Sequence, residues 1–110
     1  MSDAVELVIF KTNPGVSAAD FLAADEPINT WVQTQPGFRY RSLSLDTEQG
    51  GDQLQWRDIV YWDCLANAKR ASEAFMATHC NGDFMAMIDG QTVSLSHSEV
   101  QHMAMGDCGS

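Results

Sequence analysis

Residues 54–62, Leu-Gln-Trp-Arg-Asp-Ile-Val-Tyr-Trp, divide by alternation into two sets, both mainly apolar. Trp56, Asp58, Val60 and Trp62 fall on one face of an extended chain, and Arg57, Ile59 and Tyr61 on the other. Aromatic and β-branched content after a Gly-Gly turn marks a strand, and apolarity on both faces marks one covered twice. Residues 4–11 repeat the pattern, with Val5, Leu7 and Ile9 opposite Glu6, Val8 and Phe10. Between them, Asn13-Pro14-Gly15 supplies a turn. Ser17-Ala18-Ala19-Asp20 then reads as a capping box with Asp at its third helical position. The helix it opens is expected to run to about Gln35, burying Phe21, Ile28, Trp31 and Val32, with Pro27 kinking or splitting it. Residues 38–45 predict a strand of mixed polarity, suited to an edge or interface, in which Phe38, Tyr40, Ser42 and Ser44 oppose Arg39, Arg41, Leu43 and Leu45.

The polar connection 46–53, containing Gly50-Gly51, predicts a hairpin between this strand and 54–62. A second helix follows from Asp63 or Cys64 to about His79, with Leu65, Ala68, Ala71 or Ser72, and Phe75 facing inward. Cys80-Asn81-Gly82 stops it, Asp83 opens a short turn of helix over 84–88, and Asp89-Gly90 ends that turn. The last strand is expected over 92–103, with Val93, Leu95, His97 and Glu99 alternating against Thr92, Ser94, Ser96, Ser98 and Val100. The order β-α-β-β-α-β is the ferredoxin-like α+β arrangement: a four-stranded antiparallel sheet, β4-β1-β3-β2, with two helices on one face. The face away from the helices is expected to carry Glu6, Val8, Phe10, Trp56, Val60 and Trp62. That is too much apolar surface to leave in water, so a second copy should cover it in a homodimer.

With 110 residues, the chain fits one domain, expected over 1–103, with 104–110 a flexible tail. A net charge of −9, scattered along the chain, argues against nucleic acid and anionic membranes as partners. No apolar run reaches the roughly 18 residues of a membrane span. Cys64, Cys80 and Cys108 show no metal-ligand spacing, and an odd count without a signal peptide predicts a reduced, cytoplasmic protein. Nucleotide-binding glycine loops are also missing. Neither metal nor organic cofactor is therefore expected.

Several segments carry a family resemblance: Val8-Ile9-Phe10-Lys11, Pro14-Gly15-Val16-Ser17, Gln35-Pro36-Gly37-Phe38 and Asp58-Ile59-Val60-Tyr61-Trp62. They resemble landmarks of the dimeric α+β barrel superfamily, nearest its antibiotic-biosynthesis-monooxygenase-like and stress-responsive A/B-barrel branches, over residues 4–103. The resemblance implies the dimeric barrel and a small-molecule cavity. It also implies a range of chemistries that includes cofactor-free monooxygenases acting on polycyclic phenols, polyketide cyclases, lactone isomerases and haem-degrading enzymes. Two departures matter. Stress-responsive and cyclase members usually place a His where this chain has Glu6. The Asn of the haem-degrading set is missing from strand one, and His79 falls at a helix end, although Trp62 is suitably placed. No complete catalytic set carries over.

His97, Glu6 and Asp58 are the candidate acid/base residues, each central in a predicted strand. His97 is expected to move the proton, held by Glu6 or Asp58, with Glu6 favoured because strand one lies beside strand four. Phe10, Trp56 and Trp62 are candidate walls for an aromatic ligand, and Tyr40 and Tyr61 candidate hydroxyl donors. The structural alternative is a satisfied polar network at the dimer interface, with one carboxylate accepting from Arg39 or Arg41. Three functions follow: a cofactor-independent monooxygenase acting on an aromatic or polyketide-like substrate, a protein that binds a small apolar ligand, and a non-catalytic stress-responsive dimer whose barrel is filled by its own side chains.

Overall fold

The two strands that are apolar on both faces lie side by side at the centre of one antiparallel sheet. In the computed structural model, which describes residues 2–48 and 51–106, the elements are β1 (Ala4–Thr12), α1 (Ala18–Val32), β2 (Phe38–Leu45), β3 (Gln55–Trp62), α2 (Leu65–Ala77), a 3-10 turn (His79–Asn81), α3 (Gly82–Met87) and β4 (Ile88–Glu99). Strand order is β2-β3-β1-β4, with every neighbouring pair antiparallel. The helices pack on one face of this four-stranded sheet in the ferredoxin-like α+β arrangement.

Local chemistry accounts for most boundaries. Ser17 caps α1 by accepting from the Asp20 amide at 3.0 Å. The helix runs unbroken through Pro27, against the expectation that it would split. Pro27 and Ala23, whose carbonyl loses its intrahelical donor, both lie on the exposed side, where water can replace the missing bond. Gly37, at φ +82°, lies where α1 turns into β2, and its carbonyl accepts from the Asp63 amide at 2.9 Å. A Cβ there would stand 2.3 Å from Asp63 Oδ1 and 2.6 Å from Asn67 Nδ2. Gly37→Ala is therefore expected to cost about 1–3 kcal/mol through steric clash and an unfavourable left-handed backbone. Chemical denaturation measures this, and unchanged stability would refute it.

The last strand starts and ends earlier than its alternation suggests. Past a bulge between Ile9 and Lys11 the ladder continues through Lys11–Asp89 and Thr12–Ile88, so α3 runs directly into β4. At the bulge the Lys11 amide donates to Thr92 Oγ1 at 2.8 Å, which keeps a displaced donor satisfied. Of the expected tail, residues 107–110, including Cys108, lie outside the described residues.

One expectation is reversed. Phe10, Trp56, Val60 and Trp62 face the helices instead of a second sheet. Trp62 and Val60 pack with Val32, Ala68 and Ala71, while Phe10 and Trp56 pack with Phe21, Ile28 and Phe84. Alternation sorts residues into two faces but does not say which face the crossover helices will cover. The large rings fill the wide gap between sheet and helices, where their volume is needed. By register, the uncovered face carries Val5, Leu7 and Ile9 from β1, Ile59 and Tyr61 from β3, Tyr40 from β2, and Ser94, Ser96 and Ser98 from β4.

Candidate functional site

Glu6 and His97 are directly paired across β1 and β4, so both side chains rise from the sheet on the helix side. His97 Nε2 lies 3.0 Å from Glu6 Oε1. A carboxylate can only accept, so Nε2 carries the hydrogen in this contact. Ser72, on the inner face of α2, donates its hydroxyl to the same oxygen. Glu6 Oε2 has no protein donor among the described residues.

One strand away, Asp58 is held by Arg41. Arg41 Nε donates to Asp58 Oδ1 at 3.0 Å and Nη2 to Oδ2 at 2.8 Å, a two-pronged fork. The same guanidinium bonds Asp25 on α1, Nη1 to Oδ2 at 3.0 Å and Nη2 to Oδ1 at 2.7 Å. Nη1 also donates to Asn29 Oδ1 at 3.1 Å. All five Arg41 N–H groups are thereby matched to acceptors. Only 4% of the Arg41 side chain is exposed. A bulge in β2 puts it there: Phe38 pairs with Trp62 and Tyr40 with Tyr61, so parity shifts at Arg39 and Arg41 turns inward opposite Val60. Arg39 instead stays at the surface with Asp3.

Two carboxylates, Asp25 and Asp58, share one guanidinium here, with the charge of Glu6 nearby, and ionisation reflects that surplus. Burial pushes the Asp58 carboxyl above its ordinary value; Arg41 pulls it back, while the charges of Asp25 and Glu6 add to the rise. Burial acts to lower the Arg41 value, but the bonds and charges of Asp58 and Asp25 outweigh it and raise it, so the guanidinium stays charged.

Above this polar floor lies a cavity of about 270 Å³ between sheet and helices, to which Glu6, Asp58, Arg41 and Ser72 contribute. Phe10, Trp62, Phe75 and Phe84 supply aromatic wall. Met76, Met85, Val93 and Leu95 also line it and are exposed, which places the mouth between α2, α3 and β4. The site thus lies within a single chain, between sheet and helices.

The structure distributes the candidate residues unevenly. It brings Glu6, Asp58, Phe10 and Trp62 to the cavity, while His97 sits behind Glu6 and does not line it. Trp56 is not in the lining; it is buried against Phe21, ring centroids 4.8 Å apart. Tyr40 and Tyr61 pack edge to face on the opposite side of the sheet, beside Arg39, Met103 and Met105, and so cannot reach this cavity. Asp58 is engaged by Arg41 and not by His97. Asp25, Asn29 and Ser72 escaped the sequence reading as site residues. Asp25 did leave a signal, since it interrupts the buried stripe Phe21, Ala24, Ile28, Val32 with a carboxylate. Among the described residues no group of three or more His, Cys, Asp or Glu is placed to hold a metal ion, and no helix is long and apolar enough to cross a membrane.

Solved structures share this architecture at low sequence identity. A candidate antibiotic biosynthesis monooxygenase from Bordetella bronchiseptica superposes with a TM-score of 0.72 at 17% identity, over 94% of this chain and 100% of that one. A variant of SnoaB, a cofactor-independent oxygenase from Streptomyces nogalater, gives 0.65 at 16% identity, over 96% and 97%. A dimeric ferredoxin-like protein of unknown function from Thermobifida fusca gives 0.69 at 7% identity, over 90% and 92%. No family model matches the sequence, and no curated protein matches it. These structures share with this chain the ferredoxin-like α+β fold, a four-stranded antiparallel sheet with helices on one face.

Proposed function

We propose that the protein is a homodimeric, small-molecule-handling α+β barrel that oxygenates an aromatic or polyketide-like substrate without a cofactor. The observation that carries this reading is Glu6, a carboxylate in a mainly apolar cavity with one oxygen fixed by Ser72 and His97 and the other without a protein donor among the described residues. A substrate bearing an acidic C–H or O–H would give its proton to Oε2. The resulting electron-rich anion reacts with dioxygen; one oxygen atom stays on the carbon, and the other leaves as water together with the two hydrogens the substrate loses, both from a CH2 or one each from C–H and O–H. His97 then orients Glu6, a positioning role instead of the direct proton transfer that sequence alone suggested. The fold shared with SnoaB supports oxygenase chemistry by analogy.

Oxygen uptake with anthrone, quinol and polyketide-type phenols tests the reading. Glu6→Gln is expected to lower turnover by roughly 10²–10⁴-fold. His97→Ala should lower it less, and His97→Gln, which keeps a donor toward Oε1, should recover part of the loss. Equal turnover in the unmodified protein and Glu6→Gln would reject the assignment. The second reading is a carrier for a small apolar ligand, favoured by the predominantly apolar cavity wall. Binding of such phenols with no oxygen uptake would select it.

A further inference from the structure

We infer that the cavity also binds an organic cation, a protonated aromatic amine whose ammonium group bonds Glu6 Oε2. The inference goes beyond the proposed oxygenation, since it concerns binding alone and uses only the cavity and its charges. Among the described residues lining the cavity, Arg41 is the only permanent cation, and its five N–H groups bond Asp25, Asp58 and Asn29. None is left for Glu6, whose Oε1 takes the Ser72 hydroxyl and His97 Nε2. Even with His97 protonated, three carboxylates (Glu6, Asp25 and Asp58) stand against two cations. A further positive charge is what this floor lacks, and Glu6 Oε2 is the acceptor open to it.

The surroundings fit an organic cation better than an inorganic one. Among the described residues no three His, Cys, Asp or Glu groups are placed to hold a metal ion. Most of the lining is apolar, and a small hydrated ion would lose water there without compensation. An aromatic amine instead buries its ring against Trp31, Trp62, Phe75 and Phe84, and ring faces attract a cation besides. Trp62 also brings a buried Nε1–H without a partner among the described residues, for which an oxygen on the same ligand can serve as acceptor. With a net charge of −9, the chain as a whole draws cations toward its surface.

Three probes on one bicyclic skeleton test the inference: a naphthylmethylamine, the matching naphthylmethanol and the naphthylacetate. In calorimetric titration of the unmodified protein at pH 7, the amine is expected to bind about 10–100-fold more tightly than the neutral alcohol, the effect of one hydrogen bond between charged groups. The acetate has the Trp62 N–H as a donor but no free cation to pair with, so it should also bind more weakly than the amine. Glu6→Gln should remove most of the amine's advantage over the alcohol. Circular dichroism checks that this variant keeps its fold, and the comparison in the unmodified protein stands regardless. Alcohol or acetate binding as tight as the amine, an amine advantage that survives Glu6→Gln, or no binding of any probe would overturn the inference. An ammonium on Oε2 takes the place of a substrate's acidic hydrogen, so the amine should inhibit oxygen uptake competitively. Amine selection without oxygen uptake would uphold the inference and reject the oxygenase reading, and oxygen uptake without amine selection would do the reverse.

Discussion

Arg41→Met is expected to lose about 3–5 kcal/mol of folding stability at pH 8, because it strands Asp25 and Asp58 as buried, unpaired carboxylates. The loss should shrink as pH falls. Asp58 is already held above its ordinary value by burial, with Arg41 opposing that rise; without the guanidinium the rise grows. An acid whose folded value is raised binds a proton in the folded chain that the unfolded chain releases. Its stability contribution is therefore present in full below the ordinary aspartate range and is lost as pH rises through the raised folded value. Urea denaturation of both proteins at pH 5 and pH 8 measures the difference. A deficit equal at the two pH values would mean that lost packing, and not stranded charge, is responsible. Adding Asp25→Asn and Asp58→Asn to Arg41→Met should restore part of the stability at pH 8, since the three neighbours act as one unit.

Ile59→Lys is expected to yield a folded monomer, where we propose that the unmodified protein is a homodimer. Ile59 pairs with Leu7 on β1 and Ser42 on β2, in the middle of the sheet face that no helix covers. In the proposed dimer a lysine there would bring an unpaired charge into the layer between two sheets, at a cost of several kcal/mol. Light scattering would report the halved mass, and circular dichroism the retained fold. Val60→Glu should behave differently. Val60 is the next residue along the same strand, yet it is 4% exposed and packs with Ala4, Val32 and Trp62 beneath the helices. That substitution should unfold the chain itself. An intact Ile59→Lys dimer would show that assembly uses another surface.

The contrast between residues 59 and 60 shows how far alternation reaches. The period-2 pattern of β1 and β3 was enough to identify the central strands, and Ser17 with Asp20 to place the start of α1. Element order pointed to the β2-β3-β1-β4 sheet. These features are local or additive: propensity, capping and alternation act within a few residues, and burial scales with apolar surface.

Other features come from the packed chain alone. Alternation names two faces, but the side to which the crossover helices turn, and the volume available beneath them, decided that Phe10, Trp56 and Trp62 belong to the protomer core. A single bulge at Arg39, without any sequence mark of its own, brought Arg41 inward and set it between Asp25 and Asp58, 16 and 17 residues away along the chain. The Glu6–His97 pair was legible because adjacent strands impose a register on central residues. Of the Arg41 network, sequence offered only that one carboxylate accepts from Arg39 or Arg41; which groups meet was not legible, because its donors and acceptors come from a helix and two strands whose relative placement is fixed only when the core closes. Sequence determined which residues would be buried and which strands would pair, while tertiary packing decided which buried charges met and therefore where the cavity acquired its chemistry.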